Sequence, residues 1–193
     1  NPTILHCGTA PDGYASLGGD CDDNDSTRSP EIVCDGISNE CDGMTEIEIL
    51  STSTVANPTE DTRYCVSDLA TVPLEMEIGP SLHVQFYPSR NNTGSNPPSI
   101  TCNSSAPGLL LTGSGFVLDV EGITFQDCIA RPAIKAIGEG TININNAKFS
   151  DNEGADGAAI FIESNSGTNA ELHISNSTFS DNNAESGAAV YAI

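Results

Sequence analysis

Short runs of alternating apolar and polar residues fill the second half of this 193-residue chain, and they recur. Leu172 and Ile174 precede Phe179, Ile142 and Ile144 precede Phe149, and Leu118 and Val120 precede Phe125. From Phe149 the chain reads FSDNEGADGAAI, and from Phe179, thirty positions on, it reads FSDNNAESGAAV. The copy at Phe125 is weaker: FQDC replaces the Phe-x-x-Asn pattern, and RPAIKAI stands where Gly-Ala-Ala-Ile is expected. From Phe to the following aliphatic there are 9 positions in that copy and 11 in the other two. Units of 24 to 30 residues therefore cover 117–193.

Each unit holds two short period-2 strands joined by Gly- and Asn-rich turns, and one unit alone cannot bury its apolar face. Neighbours must stack, and stacked coils of short strands make a parallel β-helix. The fold predicted is all-β: a parallel β-helix, a solenoid, preceded by a small irregular N-terminal module held by disulfides and metal. The repeated Phe and aliphatic residues form inward ladders, and the paired alanines leave room where the wall turns. Asn152 and Asn182 are expected at a corner, since Asn tolerates the left-handed region and its amide can stack on the next coil. Gly157 and Gly187 supply a turn that a Cβ would obstruct. Upstream, Leu74, Met76 and Ile78, then Leu82, Val84 and Phe86, also fall on one face. Residues 66–116 thus read as irregular first coils of one body spanning 66–193, with PSRNNTGSNPP as an excursion on its side. Residues 1–48 form a separate acidic module, and 49–65, including STSTVANPTED, a linker and first strand.

The repeat resembles that of polymorphic outer membrane proteins, whose units carry Phe-x-x-Asn and Gly-Gly-Ala-Ile/Leu/Val. Here the second Gly is Ala in both good copies. The resemblance covers roughly 40% of the chain. It implies a right-handed parallel β-helix used in surface display and adhesion.

Composition narrows the partners. The formal charge is −21, with Arg28, Arg63, Arg90, Arg131, Lys135 and Lys148 as the only basic side chains. So few cations build no patch for nucleic acid or an anionic membrane, whereas cations are natural partners. No apolar run approaches the roughly 20 residues of a membrane span. The chain starts at Asn1-Pro2 without Met, which reads as a processed form or a fragment. Seven cysteines without a C-x-x-C pair point to disulfides in an oxidising, extracellular or cell-surface setting.

Between 20 and 48 stand ten acidic residues against Arg28 alone. Such a segment repels itself unless cations neutralise it. Oxygen ligands at alternating positions in DCDDND and NECDG suit Ca²⁺, which takes six to eight oxygens. The stretch from Cys7 also resembles the MopE-type metal-binding motif of secreted and surface proteins. Gly13-Tyr14, Asp20-Cys21-Asp22-Asp23, Pro30-Glu31, Cys34-Asp35-Gly36, Asn39 and Cys41-Asp42-Gly43 match it, while Ser38 replaces an expected Asp. That family has been associated with copper, but no Met/His cluster is present, and ligand hardness favours calcium. The expected ligands are Asp20, Asp22, Asn24, Asp25, Asp35, Asn39, Glu40 and Asp42. The shared motif also implies that Cys7, Cys21, Cys34 and Cys41 form two disulfides within the module, in any of three pairings. Cys102 and Cys128, one coil apart, meet on adjacent rungs, leaving Cys65 unpaired or bonded to another chain.

Other signals are weaker. His6, His83 and His173 have no metal or triad spacing and read as surface or packing residues. Asn-x-Ser/Thr sequons occur at Asn24, Asn91, Asn103 and Asn176; Asn91 is the favoured glycan site, and Asn24 is disfavoured as a metal ligand. No nucleotide-binding Gly motif or nucleophile motif appears. The function expected is a non-enzymatic extracellular structural or adhesive protein, a calcium-stabilised subunit of a filament, coat or adhesin. Its partners would be further copies of itself, other surface proteins or glycans. The last strand ends at YAI without a visible cap, so the open end either stacks on another copy or continues into further coils. The alternative is a carbohydrate-binding or carbohydrate-active β-helix. Arg131, Lys135 and Lys148 are the basic residues on its wall, and Asp151 and Asp181 are paired carboxylates that the repeat itself also explains.

Overall fold

The computed structural model describes residue 34 and residues 44–49, 55–67, 71–90, 97–102, 107–163 and 170–193. Among these the protein is all-β, with sixteen strands and no helix. The first eight are β1 (Thr45–Ile49), β2 (Thr62–Val66), β3 (Thr71–Leu74), β4 (Met76–Ile78), β5 (His83–Pro88), β6 (Ser99–Cys102), β7 (Leu109–Glu121) and β8 (Thr124–Gln126). There follow β9 (Ile134–Asn145), β10 (Lys148–Ser150), β11 (Glu153–Asp156), β12 (Ile160–Glu163), β13 (Ala170–Ser175), β14 (Thr178–Ser180), β15 (Asn183–Ser186) and β16 (Val190–Ala192).

Every strand pairing among the described residues is parallel, because each strand pairs with its counterpart one pass away along the chain. A nine-stranded sheet runs β1-β2-β5-β7-β9-β12-β16, with β4 also on β7 and β13 also on β9. A five-stranded sheet runs β14-β10-β8-β6-β3, and β11 pairs with β15. The long strands β7 and β9 pair with each other, and each carries two shorter strands on its other edge: β4 and β5 on β7, and β12 and β13 on β9. Gly138 lets β9 pass β7 closely, with φ +119° and no room for a Cβ beside the Gly113 carbonyl. Parallel pairing already begins at Thr45, upstream of the region read as coiled from the sequence.

The register is the one the repeat implies. Leu118, Ile142 and Leu172 face one another in one row, Val120, Ile144 and Ile174 in the next, and Phe125, Phe149 and Phe179 in a third. A one-residue slip would turn each of these rows to the opposite face. The phenyl rings stack at 5.1 and 4.9 Å between centroids, within 6° and 4° of parallel. The core is continuous from Ile49 and Tyr64 through Phe86, Leu118 and Ile142 to Ile160.

Asn152 and Asn182 do not occupy the left-handed corner expected of them. That conformation falls one residue earlier, at Asp151 (φ 58°) and Asp181 (φ 55°), and at the aligned Asp127 (φ 56°). Asp shares with Asn a short polar side chain that tolerates αL. The turn this creates points Asn152 inward, fully buried. Its Nδ2 donates to Phe125 O at 3.2 Å and to Asn182 Oδ1 at 2.8 Å, while its Oδ1 accepts from the Cys128 N–H at 3.1 Å. One pass on, Asn182 Nδ2 donates to Phe149 O at 3.0 Å. Gly157 and Gly187 do turn through positive φ, 59° and 58°, and a Cβ on Gly157 would lie 2.6 Å from the Ile160 carbonyl.

Candidate functional site

The eight expected metal ligands, Asp20, Asp22, Asn24, Asp25, Asp35, Asn39, Glu40 and Asp42, lie outside the described residues, as do Cys7, Cys21, Cys41, Asn91 and Asn103. Cys34 is described, and it corrects the expected disulfide partition. It bonds Cys65 on β2, across 31 residues, with the Cα atoms 5.3 Å apart. Cys34 therefore does not close a bond within residues 1–48, and Cys65 is not unpaired. The bond ties the acidic segment to the sheet. Cys102 and Cys128 are bonded to each other, Cα atoms 4.6 Å apart. Cys128 stands where the later passes carry Asn152 and Asn182, so a covalent rung takes the place of an amide rung.

Cys34 and Met44 lie buried, and around them β2 is buried on both faces. Arg63 on β2 is 0% exposed, its Nη2 3.8 Å from Met44 Sδ. Its Nη1 lies 3.2 Å from Glu46 Oε1, its Nε donates to Gln85 Oε1 at 2.9 Å, and Tyr87 lies 5.8 Å from its Cζ. Cys34, Glu46 and Cys65 come within metal-ligating distance of one another. Their sulfurs are spent on the disulfide and Glu46 on Arg63, so this group is an ion pair under a covalent clasp rather than a metal centre.

From Arg63 a polar row crosses the outer face of the sheet. Glu46, Arg63, Gln85, Asp119, Asn143 and His173 share one register position on successive strands. Gln85 Nε2 donates to Asp119 Oδ2 at 3.0 Å, and Asn143 Nδ2 to Asp119 Oδ1 at 2.8 Å. His83 Nε2 lies 2.6 Å from Asp119 Oδ2. Burial alone pushes the Asp119 carboxyl up, but hydrogen bonds from Asn143, His83 and Gln85, with the His83 charge, hold it below its ordinary 3.8. A second row joins Glu121, Asn145 and Ser175 at 2.6 and 2.8 Å. In these rows side chains on neighbouring strands bond one another, which suits cross-strand stabilisation. His173 lies exposed, 3.5 Å from Glu171.

A recess of about 300 Å³ opens on the wall between β7, the 130–132 segment, β9 and β11. Arg131, Lys135 and Asp156 line it together with Pro107, Leu110 and Phe161. Lys135 Nζ pairs with Glu163 at 3.3 Å and lies 4.8 Å from the Phe161 ring centre. Lys148 is exposed on β10 and does not line the recess. Asp151 and Asp181 lie exposed at the αL turns. Asn176 is also exposed, its Nδ2 3.1 Å from Asn145 Oδ1.

Sequence reasoning named Arg131 and Lys135 but assigned them no site; the available signal was the pass at Phe125, two residues shorter than its neighbours. Arg63 gave no signal of its own, since its burial depends on residues distant in the chain, Met44 and Gln85 among them. No helix among the described residues is long and apolar enough to cross a membrane. Comparisons of the chain with protein-family models, with curated proteins and with solved structures find no match.

Proposed function

We propose that the chain is a non-enzymatic structural or adhesive subunit of the cell exterior: a right-handed parallel β-helix whose acidic N-terminal segment is ordered by calcium. The carrying observation is the parallel, in-register stacking of successive passes, with aligned Phe125, Phe149 and Phe179 inside and hydrogen-bonded polar rows outside. Parallel strands joined by crossover connections are right-handed in nearly all known cases, which gives the coil its hand. Such a body is quasi-one-dimensional: each pass contacts only its neighbours, which suits stalks, coats and filaments. Two disulfides among the described residues, one joining Cys34 of the acidic segment to β2, support an oxidising exterior.

The calcium reading rests on the ten acidic residues of 20–48. Cation binding to the folded state alone adds about 2.7 kcal/mol at a hundredfold excess over Kd. Sedimentation velocity and thermal unfolding, each run in calcium and in chelator, test the whole. The expected result is a higher Tm in calcium and concentration-dependent assembly that chelator reverses. A monomer at every concentration, with one Tm in both buffers, would contradict it.

A further inference from the structure

We propose that the recess beside Arg131 is a binding site for a single carboxylate-bearing sugar ring of the hexuronate class. The recess comes from a defect in the repeat. The passes after Phe149 and Phe179 reach the aligned aliphatics Ile160 and Val190 in 11 residues, and the pass after Phe125 reaches Ile134 in 9. Because Phe125 pairs with Phe149 and Ile134 with Ile160, the shorter pass draws in. Only a single bridge, Ile129 to Glu153, joins it to the strand-forming segment of the next pass. The recess there is lined by Leu110 from the pass before and Asp156 from the pass after. The shorter pass is strained: Ala130, without the side-chain oxygen that eases αL, holds φ 69°.

Chemistry selects the ligand. Two of the six basic residues of a chain of charge −21 line this one recess. Lys135 is engaged by Glu163 and Phe161. Arg131 is exposed and makes no ion pair with any described residue. Its planar fork matches a carboxylate through two parallel hydrogen bonds. Pro107, Leu110 and Pro132 offer an apolar surface to the C–H face of a ring, and Asp156 offers acceptors to its hydroxyls. A volume of about 300 Å³ sits at the lower end of ligand sites, fitting one ring rather than a chain. The surrounding negative charge also disfavours a polyanionic peptide more than a singly charged ring.

The test is ¹H–¹⁵N NMR titration of the disulfide-intact 193-residue protein with methyl β-glucuronide, methyl β-glucoside and an acetylated Asp-Asp dipeptide. Shifts confined to residues around Arg131, Lys135 and Asp156 are expected with the glucuronide alone. Because charge-assisted hydrogen bonds are among the stronger ones, Arg131→Ala is expected to weaken binding about 10-fold, and Arg131→Lys to restore part of it. Arg131 is exposed on a turn, so an unchanged spectrum elsewhere shows that these variants fold. Equal binding of the neutral glucoside, a preference for the dipeptide, or no glucuronide shift at the recess overturns the proposal.

Discussion

Replacing Asn152 with Ala is expected to cost about 3 kcal/mol, and the figure follows from what the amide holds together. Its Oδ1 is the acceptor of the buried Cys128 N–H, and its Nδ2 serves Phe125 O and Asn182 Oδ1. An unsatisfied buried donor costs about 1–3 kcal/mol, and each net hydrogen bond lost adds about 0.5–1.5. With no exposure at Asn152, water does not reach in to replace these partners. Against a typical domain stability of about 5–15 kcal/mol, such a loss is large. Asn182→Ala is expected to cost about half as much, because Asn182 is only half-buried and water substitutes. Asn152→Asp separates shape from chemistry: at pH 7 it still accepts from Cys128 but cannot donate to Phe125 O, and it faces Asn182 Oδ1. It is expected to be at least as damaging as Ala, recovering partly once acid protonates it. Urea unfolding at constant m-value reads all three. An Asn152→Ala cost under about 0.5 kcal/mol, or a larger cost for Asn182→Ala, would refute the inward amide ladder.

Three further outcomes are expected. Arg63→Ala removes the cation 3.2 Å from buried Glu46 and costs about 3–5 kcal/mol by chemical denaturation, while Arg63→Met with Glu46→Met costs clearly less, since both charges go together. Phe149→Ala, in the middle of the three-ring stack, costs about 3–5 kcal/mol, and Phe179→Ala, half-buried, costs distinctly less; equal losses would contradict the stacking order. The Asp119 carboxyl is held below 3.8 in the folded protein, so its contribution is complete above that value and disappears as pH falls through the lower folded value. Asp119→Asn should therefore flatten the acid limb of a stability–pH curve below about pH 4, while differing most from wild type near neutrality.

What the sequence made legible was whatever it repeated. Phe125, Phe149 and Phe179, and the aliphatics before them, recur at fixed offsets, and parallel pairing turns equal offsets directly into register. The turn glycines Gly157 and Gly187 were legible for the same reason. The shared Asp-Asn dipeptide was not: both residues tolerate αL, and only the geometry assigns the turn to Asp151 and the inward ladder to Asn152. Cys34–Cys65 was hidden because it joins a non-repeating segment to a strand, so neither spacing nor motif ranks it above a bond within the module. Arg63 was hidden further still. A lone basic residue in TRYCV reads as the solvent face of a strand until partners distant in the chain, Met44 and Gln85 among them, close on it. The recess at Arg131 was written in the chain as a two-residue deficit, but its meaning depends on which neighbours stay in register around it.

Whether successive passes lie side by side in parallel, thirty residues apart, is open to one direct measurement. Lys148 and Thr178 are exposed, register-paired positions on β10 and β14. Disulfides need Cα atoms about 4.4–6.8 Å apart, and the natural Cys102–Cys128 bond already bridges two passes at 4.6 Å. Lys148→Cys with Thr178→Cys should cross-link on mild oxidation, as mapped by non-reducing peptide mass spectrometry. Lys148→Cys with Ser180→Cys, offset by two residues to about 8 Å, should not. Rapid bonding in the first pair alone is the expected result. No bond in the first pair, or equal bonding in both, would contradict the stacked parallel fold on which the proposed function rests.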